Sequence, residues 1–305
     1  MRITIEGWDP ADRRPVRGEL GGVDRGQTQA ADLVTVAVTP GPGGGGGGGG
    51  GEACVVLRQN PALLQKAARG EVRVGACVWD SGYVLCALLE ARAAAGQLAL
   101  GGARCVELGA GCGLVGLVAA RLGASVMLTD KADVLVHSRG NAAKNRMLWV
   151  PPAGPGAKAA GGSGGAGLQG GHQQQQQQQA ESMPPPGSAG VMALDWSAPD
   201  AADAVAAVRA AMGGPLDYVL ASDSIYPDPT GCATNAQGFI EACAGLCDSH
   251  TRVLITYEWR LPEVREALLG AARARFGAVR VLPPEELPEG WRTQHVETFE
   301  MRLDA

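Results

Sequence analysis

The sequence predicts an α/β protein built around a mostly parallel sheet of seven strands. Short apolar runs alternate with helical patterns through most of the chain, which is typical of βαβ units. A glycine-rich segment lies between one of these predicted strands and the helix that follows it. With 305 residues and 46% hydrophobic residues, the chain can bury one full α/β core.

Two low-complexity tracts interrupt this pattern. The first, at 40–51, is almost entirely glycine, and the second, at 151–190, contains a run of glutamines. Neither can bury enough apolar surface to offset the entropy of ordering, so we expect both to be disordered. Residues 1–60 then form an N-terminal β extension, with a hairpin of strands 33–38 and 53–57 around the first tract. Residues 61–305 form the main domain.

The predicted strands of the main sheet share a short run of apolar residues, and they are 104–108, 125–129, 191–194, 217–221, 252–256, 279–282 and 296–301. Helical patterns occupy 114–122, the segment up to about 146, 239–246 and 262–276. The last two strands read as a hairpin-like pair, which makes the final strand antiparallel. The sequence therefore predicts five βα steps followed by a terminal strand pair.

Composition argues against several classes of function. The net charge is −5 and no long run of Lys or Arg occurs, so we expect no nucleic-acid partner. No apolar stretch is long enough for a membrane span or a signal peptide, which predicts a soluble, cytoplasmic protein. The 8 cysteines are scattered without the paired spacing of a zinc site, so we expect no metal.

The glycine-rich segment begins with Glu107 and continues through Gly109, Ala110, Gly111 and Gly113. Glycines between a strand and a helix permit positive φ and let a ligand approach the backbone closely. From Gly111 onward the spacing also fits G-x-G-x-x-G, so a nicotinamide-binding loop remains possible at this point. The pattern alone predicts a nucleotide-type ligand without naming it.

Two residues at the ends of the next predicted strands suit an adenosine. Asp130 ends the second strand, where its carboxylate can accept hydrogen bonds from both ribose hydroxyls. Trp196 follows the third strand, where its ring offers a face on which adenine can stack. A solvated turn aspartate and a core tryptophan are the alternative interpretations.

Six ordered motifs resemble the seven-strand (class I) protein-lysine methyltransferases of family 16. Asn141 and Asn145 accompany the third motif, and the motifs lie at 78–81, 107–114, 128–130, 194–196, 221–226 and 257–260. The last motif and the terminal strand pair are most similar to the type that modifies valosin-containing protein. The resemblance covers most of the chain outside the two tracts.

The resemblance implies a Rossmann-like sheet with S-adenosyl-L-methionine as cofactor. It implies a protein substrate that carries the target lysine, either a chaperone or an AAA-ATPase such as valosin-containing protein. The enzyme is expected to be a monomer. The residues implied as cofactor contacts are Trp79, Glu107, Gly109, Ala110, Gly111, Gly113, Asp130, Trp196 and Ser222. Ser222 departs from the family pattern, which often has alanine there, but serine is small enough to fit.

Asp223 and Tyr226 fit the family's D-x-x-Y pattern just after the fourth strand. We expect them to accept hydrogen bonds from the acceptor amine and to orient its lone pair, with proton loss to water. Glu258 and Arg260 either hold the acceptor loop by a salt bridge or form a solvated pair. A nicotinamide-dependent oxidoreductase, a small-molecule methyltransferase and a catalytically silent binding module remain open.

Overall fold

The computed structural model describes residues 1–9, 14–20, 25–39, 53–63, 74–150, 184–226 and 235–304. The glycine tract predicted at 40–51 and residues 151–183 of the predicted insertion lie outside these ranges. Within the described part, no helix is long and apolar enough to cross a membrane. No group of three or more potential metal ligands occurs there either.

The N-terminal strands form a separate antiparallel sheet. Its strands are β1 (Arg2–Asp9), β2 (Arg14–Leu20), β3 (Leu33–Val38) and β4 (Ala53–Arg58), in the order β2-β1-β3-β4. The predicted hairpin of β3 and β4 is confirmed, with Val34 paired to Leu57. The β1–β2 hairpin beside it was not predicted. A four-residue helix, α1 (Arg25–Thr28), precedes β3.

The main sheet has the seven strands and the antiparallel last strand that the sequence predicts. Its strands are β5 (Arg104–Leu108), β6 (Ser125–Asp130), β7 (Ser188–Ala193), β8 (Tyr218–Ser222), β9 (Arg252–Glu258), β10 (Ala278–Val281) and β11 (Val296–Arg302). Their order is β10-β11-β9-β8-β5-β6-β7. The final strand β11 lies antiparallel between β9 and β10. The fold prediction is therefore confirmed.

Helices cover both faces of this sheet. They are α2 (Asp80–Ala94), α3 (Leu114–Arg121), α4 (Leu135–Lys144), α5 (Ala201–Ala211), α6 (Ala236–Leu246) and α7 (Pro262–Arg275). One apolar core joins α2 and α3 to the N-terminal sheet, and a second lies beneath α5, α6 and α7. Helix α2 is buried on nearly all sides because the N-terminal sheet adds to its cover.

Strand β7 begins at Ser188, three residues before the predicted start and inside the end of the predicted insertion. The small residues at the start of β7 resemble a linker sequence, but the packing around this strand requires them to be small. A side chain at Gly190 would lie 2.8 Å from the Met127 sulfur and 3.1 Å from the Trp149 ring. Ser188 to Gly190 pair in parallel with β6, so this stretch belongs to the sheet.

Two asparagines on α4 attach the N-terminal sheet to the main domain. Asn145 accepts a hydrogen bond from the Val56 N–H (2.8 Å) and donates to the Val56 carbonyl (2.7 Å). Asn141 makes the same pair of contacts with Arg58, at 2.8 and 3.1 Å. Their amides therefore satisfy the open edge of β4 as a neighbouring strand would. Asn141 also donates to the Cys112 carbonyl (2.9 Å), which reaches the glycine loop.

We predict that Asn141→Ala lowers the free energy of unfolding by about 2 kcal/mol, because it leaves three backbone polar groups without their partner. Denaturation in urea, followed by circular dichroism, measures the change. Lys144→Ala, an exposed substitution on the same helix, is the control and should shift the value by less than ~0.5 kcal/mol. Equal losses in the two variants would contradict the structural role of Asn141.

Candidate cofactor and acceptor site

A cavity of about 270 Å³ lies at the carboxyl ends of β5, β6 and β8, with the turn before α2 as its outer wall. Ligands of parallel α/β sheets bind at this edge. All of the predicted site residues except Gly113 line it, namely Trp79, Glu107, Gly109, Ala110, Gly111, Asp130, Trp196, Ser222, Asp223 and Tyr226. The structure thus brings residues from five separate sequence motifs into one cavity.

The turn after β5 follows a backbone path that only glycine adopts without strain. Gly109 has φ 68° and Gly111 has φ 52°, both in the left-handed region. A Cβ at Gly109 would lie 2.6 Å from the Ser224 hydroxyl and 3.2 Å from the Trp196 ring. A Cβ at Gly111 would lie 3.2 Å from the Gly75 carbonyl. The turn is therefore packed on both sides and exposes its backbone to the cavity.

Asp130 fixes this turn from the next strand. Its Oδ2 accepts a hydrogen bond from the Gly111 N–H (2.8 Å), and its Oδ1 accepts one from the Lys131 N–H (2.7 Å). Burial raises the pKa of the Asp130 carboxyl, and these two backbone N–H groups partly oppose that rise. Each oxygen keeps a second lone pair, and the residue lines the cavity. It can therefore accept further hydrogen bonds from a diol.

Glu107 supports the helix that follows the turn. Its side chain is buried, and its Oε2 accepts a hydrogen bond from the Gly116 N–H (2.8 Å) in the first turn of α3. A carboxyl group there satisfies a helix N–H that would otherwise lack a partner. Burial raises the pKa of Glu107 to about 8, and the hydrogen bond from Gly116 lowers it only in part. Sequence reasoning placed Glu107 in the cofactor site without this capping contact.

Gly113 and Gly116 serve packing rather than the cavity. Gly113 begins α3 with φ 82°, and a Cβ there would point at Leu128 (3.1 Å) and Ser138 (3.4 Å). A Cβ at Gly116 would lie 2.2 Å from Leu128. These two glycines let α3 approach β6 closely, as the third glycine does in dinucleotide-binding loops. The position of Gly113 does not support the prediction that it contacts a cofactor, because Gly113 faces Leu128 and Ser138 rather than the cavity.

Two tryptophans line the cavity. The Trp196 ring meets the Phe239 ring edge-on, with centroids 5.4 Å apart, so it takes part in packing and in the cavity wall at once. The packing alternative is therefore realised in part, and the stacking of adenine on this ring stays a prediction. Trp79 precedes the first turn of α2 in extended conformation, and the Arg260 guanidinium lies 5.0 Å above its ring.

Asp223 is paired with Arg260. Both of its oxygens accept hydrogen bonds from the Arg260 guanidinium, one of them at 2.7 Å. Arg260 also donates to Glu258 Oε2 at 3.1 Å, and the Glu258 side chain is buried. The Glu258–Arg260 contact is thus a shielded ion pair rather than a solvated one. The Asp223–Arg260 contact forms because β8 and β9 are adjacent and parallel, so the residues that follow the two strands meet.

The backbone at Asp223 adopts φ 51°, a conformation that only a few non-glycine residues tolerate. This turn directs the carboxylate across to Arg260. Burial disfavours the charge of Arg260, yet its hydrogen bonds and attraction to Asp223 raise its pKa overall. Arg260 therefore stays charged at neutral pH, and Asp223 offers the cavity a carboxyl group that is hydrogen-bonded to that charge.

Sequence reasoning missed several residues near the site. Gly75 and His137 line the cavity, although neither lies in a motif that was singled out. Asp80 is buried at the start of α2, and its Oδ2 lies 3.8 Å from His295 Nε2. No local pattern marks His295, because it approaches Asp80 only through the pairing of β11 with β9. A pattern search along the chain cannot find such contacts.

Comparison with known sequences finds similarity over part of the chain. Residues 58–150 match the sequence model of the family described as lysine methyltransferase. The protein N-lysine methyltransferase METTL21A of Danio rerio is 49% identical over 72 residues, which are 24% of this chain and 31% of that protein. The EEF1A lysine methyltransferase 3 of Xenopus tropicalis is 38% identical over 72 residues, 24% of this chain and 30% of that protein. The chain thus spans less than a third of the length of these relatives.

Two of the similar solved structures are methyltransferases of low sequence identity. The T. thermophilus 16S rRNA N2 G1207 methyltransferase, in complex with AdoMet and guanosine, is 14% identical with a TM-score of 0.45. The match covers 88% of this chain and 50% of that one. A predicted O-methyltransferase from Agrobacterium tumefaciens is also 14% identical, with a TM-score of 0.40 over 72% of this chain and 79% of that one.

The raised pKa of Glu107 predicts a pH-dependent stability. The unfolded chain releases this proton near pH 4.5, whereas the folded protein keeps it up to about pH 8. The folded state binds the extra proton between these values, so this group makes the free energy of unfolding fall as pH rises from about 4.5 to 8. Glu107→Gln removes the titration and keeps an acceptor for the Gly116 N–H.

We therefore expect the melting temperature of Glu107→Gln, relative to the unsubstituted protein, to rise steadily from about pH 5 to 8 and then level off. Differential scanning calorimetry at matched ionic strength measures both proteins across this range. Parallel curves for the two proteins would show that Glu107 does not titrate in this window.

Proposed function

We propose that this chain, whose residues 58–150 match the lysine methyltransferase family model, transfers a methyl group from S-adenosylmethionine to a lysine of a protein. The observation that carries the proposal is the single cavity at the sheet edge. One end of it holds the glycine turn with Asp130, and the other holds Asp223 and Tyr226. A cofactor and an acceptor amine can therefore meet within it.

The residues present fit this cofactor. The Gly109–Gly111 turn lines the cavity, so its backbone is within reach of the amino-acid part of the cofactor. Asp130 has lone pairs for two ribose hydroxyls, and Trp196 presents a ring beside the turn for adenine. Trp79 and Ser222 complete the walls toward the acceptor end. When bound, the cofactor supplies a methyl group activated on a sulfonium.

The nicotinamide alternative is less well supported. In that interpretation the phosphate loop runs from Gly111 through Gly113 to Gly116, yet the last two face Leu128 and the interior. The backbone that lines the cavity lies earlier in the chain, at Gly109 to Gly111. An antiparallel β11 between β9 and β10 also differs from the dinucleotide-binding sheet, whose six strands follow the order 3-2-1-4-5-6.

The acceptor end can position an amine for in-line attack. The lysine nitrogen attacks the methyl carbon as the carbon–sulfur bond breaks, leaving a neutral thioether, and the proton of the amine passes to water. A free lysine has a pKa near ~10.4, so the site must admit the neutral amine. The Arg260 guanidinium on Asp223 weakens the tendency of that carboxylate to hold the amine charged. Tyr226 lines the same end and offers an oxygen acceptor and a ring face.

We further propose that the acceptor is a folded protein, with a chaperone or an AAA-ATPase such as valosin-containing protein as the first candidates. A lysine methyltransferase of elongation factor 1A among the relatives adds that protein to the set. The net charge of −5 does not favour a nucleic-acid acceptor. The enzyme is proposed to act as a cytoplasmic monomer.

The proposal is tested by transfer and by binding. The purified protein is added to an extract of cells that lack this protein, together with S-adenosylmethionine that carries a deuterated methyl group. The modified residues are then mapped by mass spectrometry. Deuterated methyl-lysine in proteins supports the proposal. A rise in melting temperature with NAD but not with S-adenosylhomocysteine would favour the oxidoreductase. Binding of S-adenosylhomocysteine without any transfer would favour a silent binding module.

We predict that Asp130→Ala weakens binding of S-adenosylhomocysteine about 30-fold, ~2 kcal/mol, because charged hydrogen-bond acceptors for the ribose are lost. Isothermal titration calorimetry measures the dissociation constant. Asp203→Ala, on the exposed face of α5, is the matched control and should leave it unchanged. A dissociation constant for Asp130→Ala within about threefold of the control would contradict the role assigned to Asp130.

Asp223→Ala should act on a different step. We expect the transfer rate to fall about a hundredfold while the dissociation constant for S-adenosylhomocysteine changes only a few-fold, because the residue orients the acceptor rather than the ribose. Single-turnover assays on a mapped acceptor separate the two effects. Loss of cofactor binding equal to that of Asp130→Ala would contradict the assignment.

A further inference from the structure

Ser224 fills the space between the glycine turn and the acceptor end of the cavity. It follows Asp223 after β8, is 6% exposed and lines the cavity. A Cβ at Gly109 would lie 2.6 Å from the Ser224 Oγ and 3.2 Å from its Cβ, so this side chain covers the first glycine of the turn. The Ser224 hydroxyl therefore lies beside the backbone that is proposed to meet the amino-acid part of the cofactor.

The single proton of this hydroxyl is used within the protein. Ser224 Oγ donates to the Leu108 carbonyl at 3.0 Å, and the Ser222 carbonyl lies within reach of the same proton at 3.4 Å. A hydroxyl has one donor and two acceptor lone pairs. In the part of the chain that the structure describes, no N–H or O–H group donates to Ser224 Oγ. A ligand in the cavity therefore meets this oxygen as a hydrogen-bond acceptor.

The glycine turn itself has few backbone donors left for a ligand. The Ala110 N–H donates to the Thr129 carbonyl at 2.9 Å, and the Gly111 N–H donates to Asp130 at 2.8 Å. The Gly113 N–H donates back to the Ala110 carbonyl at 2.6 Å. Beside Ser224, the turn thus uses its N–H groups to fix its own path. A ligand group that donates hydrogen bonds suits this part of the wall better than one that accepts them.

The amino-acid part of S-adenosylmethionine carries both kinds of group. Its ammonium only donates hydrogen bonds, and its carboxylate only accepts them. An oxygen whose proton is already engaged repels the carboxylate and can pair with the ammonium. Such a bond to a charged donor is stronger than a bond between neutral groups, especially in a buried place.

We propose that the Ser224 hydroxyl binds the cofactor by accepting a hydrogen bond from the ammonium of its amino-acid part. The proposal rests on the proposed function and adds to it a cofactor-binding side chain from the segment that also supplies Asp223. Donation to the Leu108 carbonyl orients the oxygen for this contact. The cofactor's amino group is then held between the end of β5 and the end of β8.

The experiment compares Ser224→Ala and Ser224→Cys with the control Ser138→Ala. Ser138 is also a buried serine that donates to a backbone carbonyl, that of Leu135 at 3.2 Å, but it does not line the cavity. Isothermal titration calorimetry gives the dissociation constants of two ligands, with competition against the first where binding of the second is weak. These are S-adenosylhomocysteine and its analogue in which hydrogen replaces the amino group. The melting temperature of every variant is measured as well.

We expect Ser224→Ala to weaken binding of S-adenosylhomocysteine about tenfold, ~1.4 kcal/mol, because a charged hydrogen bond is lost. Binding of the deamino analogue should change by less than about twofold, since it has no ammonium to lose. Ser224→Cys fills the space with a weak acceptor and should also weaken S-adenosylhomocysteine selectively. Ser138→Ala should match the unsubstituted protein with both ligands.

An equal loss of affinity for the two ligands in Ser224→Ala would overturn the proposal, because Ser224 would then act only on the shape of the turn. A dissociation constant of Ser224→Ala for S-adenosylhomocysteine within about twofold of the control would overturn it too. Full affinity in Ser224→Cys alongside a loss in Ser224→Ala would do the same, since volume would then matter rather than the acceptor. A partly unfolded variant loses both ligands alike, so it does not imitate the expected result. No binding of S-adenosylhomocysteine to the unsubstituted protein would instead refute the proposed function.

Discussion

The turn after β5 is the constraint on which the site depends. Gly109 and Gly111 take left-handed conformations, and two carboxylates hold the chain in that path. Asp130 accepts from the Gly111 N–H, and Glu107 accepts from the Gly116 N–H five residues later. Glycine can adopt several such conformations, and the contacts from the neighbouring strand ends select this one. The backbone offered to a ligand is thus fixed before any ligand arrives.

The N-terminal sheet contributes to the same constraint from outside. Asn141 binds the edge of β4 with one part of its amide and the Cys112 carbonyl with another. Cys112 lies within the glycine turn, and its thiol contacts the Gly75 carbonyl at the outer wall of the cavity. The extension, the wall and the turn are therefore linked through backbone polar groups. Displacement of the extension would leave those groups unpaired, which is costly in a buried place.

Local signals in the sequence predicted the parts of the fold that local physics determines. The seven strands were found because their apolar runs are short and regular, and the glycine turn was found because φ restricts its composition. Strand β7 was placed late because its first residues are small for packing reasons that appear only beside Met127 and Trp149. Helix α5, which is rich in alanine and buries few side chains, gave too weak a periodic pattern to be identified.

The same distinction holds within the candidate site. Asp130 and Trp196 were predicted because each directly follows a strand, and the parallel sheet brings such positions together. The hydrogen bonds of Asp223 with Arg260 were not predicted, since Arg260 is 37 residues away and follows another strand. Gly113 was assigned to the cofactor from spacing alone, which does not tell which side of a turn faces the cavity. The order of the strands determines which residues come together at the site, whereas side-chain packing determines which contacts those residues make.

The Arg260 guanidinium explains how the carboxyl groups of Asp223 and Glu258 can lie close together beside the cavity. Its planar fork binds both oxygens of Asp223 and reaches Glu258, while its face covers the Trp79 ring. A lysine ammonium is a compact charge without a flat face, and it cannot make all of these contacts together. Arg260 thereby holds two buried carboxyl groups together and contacts a ring that forms part of the cavity wall. Charge, orientation and shape at the acceptor end consequently depend on one side chain that does not itself line the cavity.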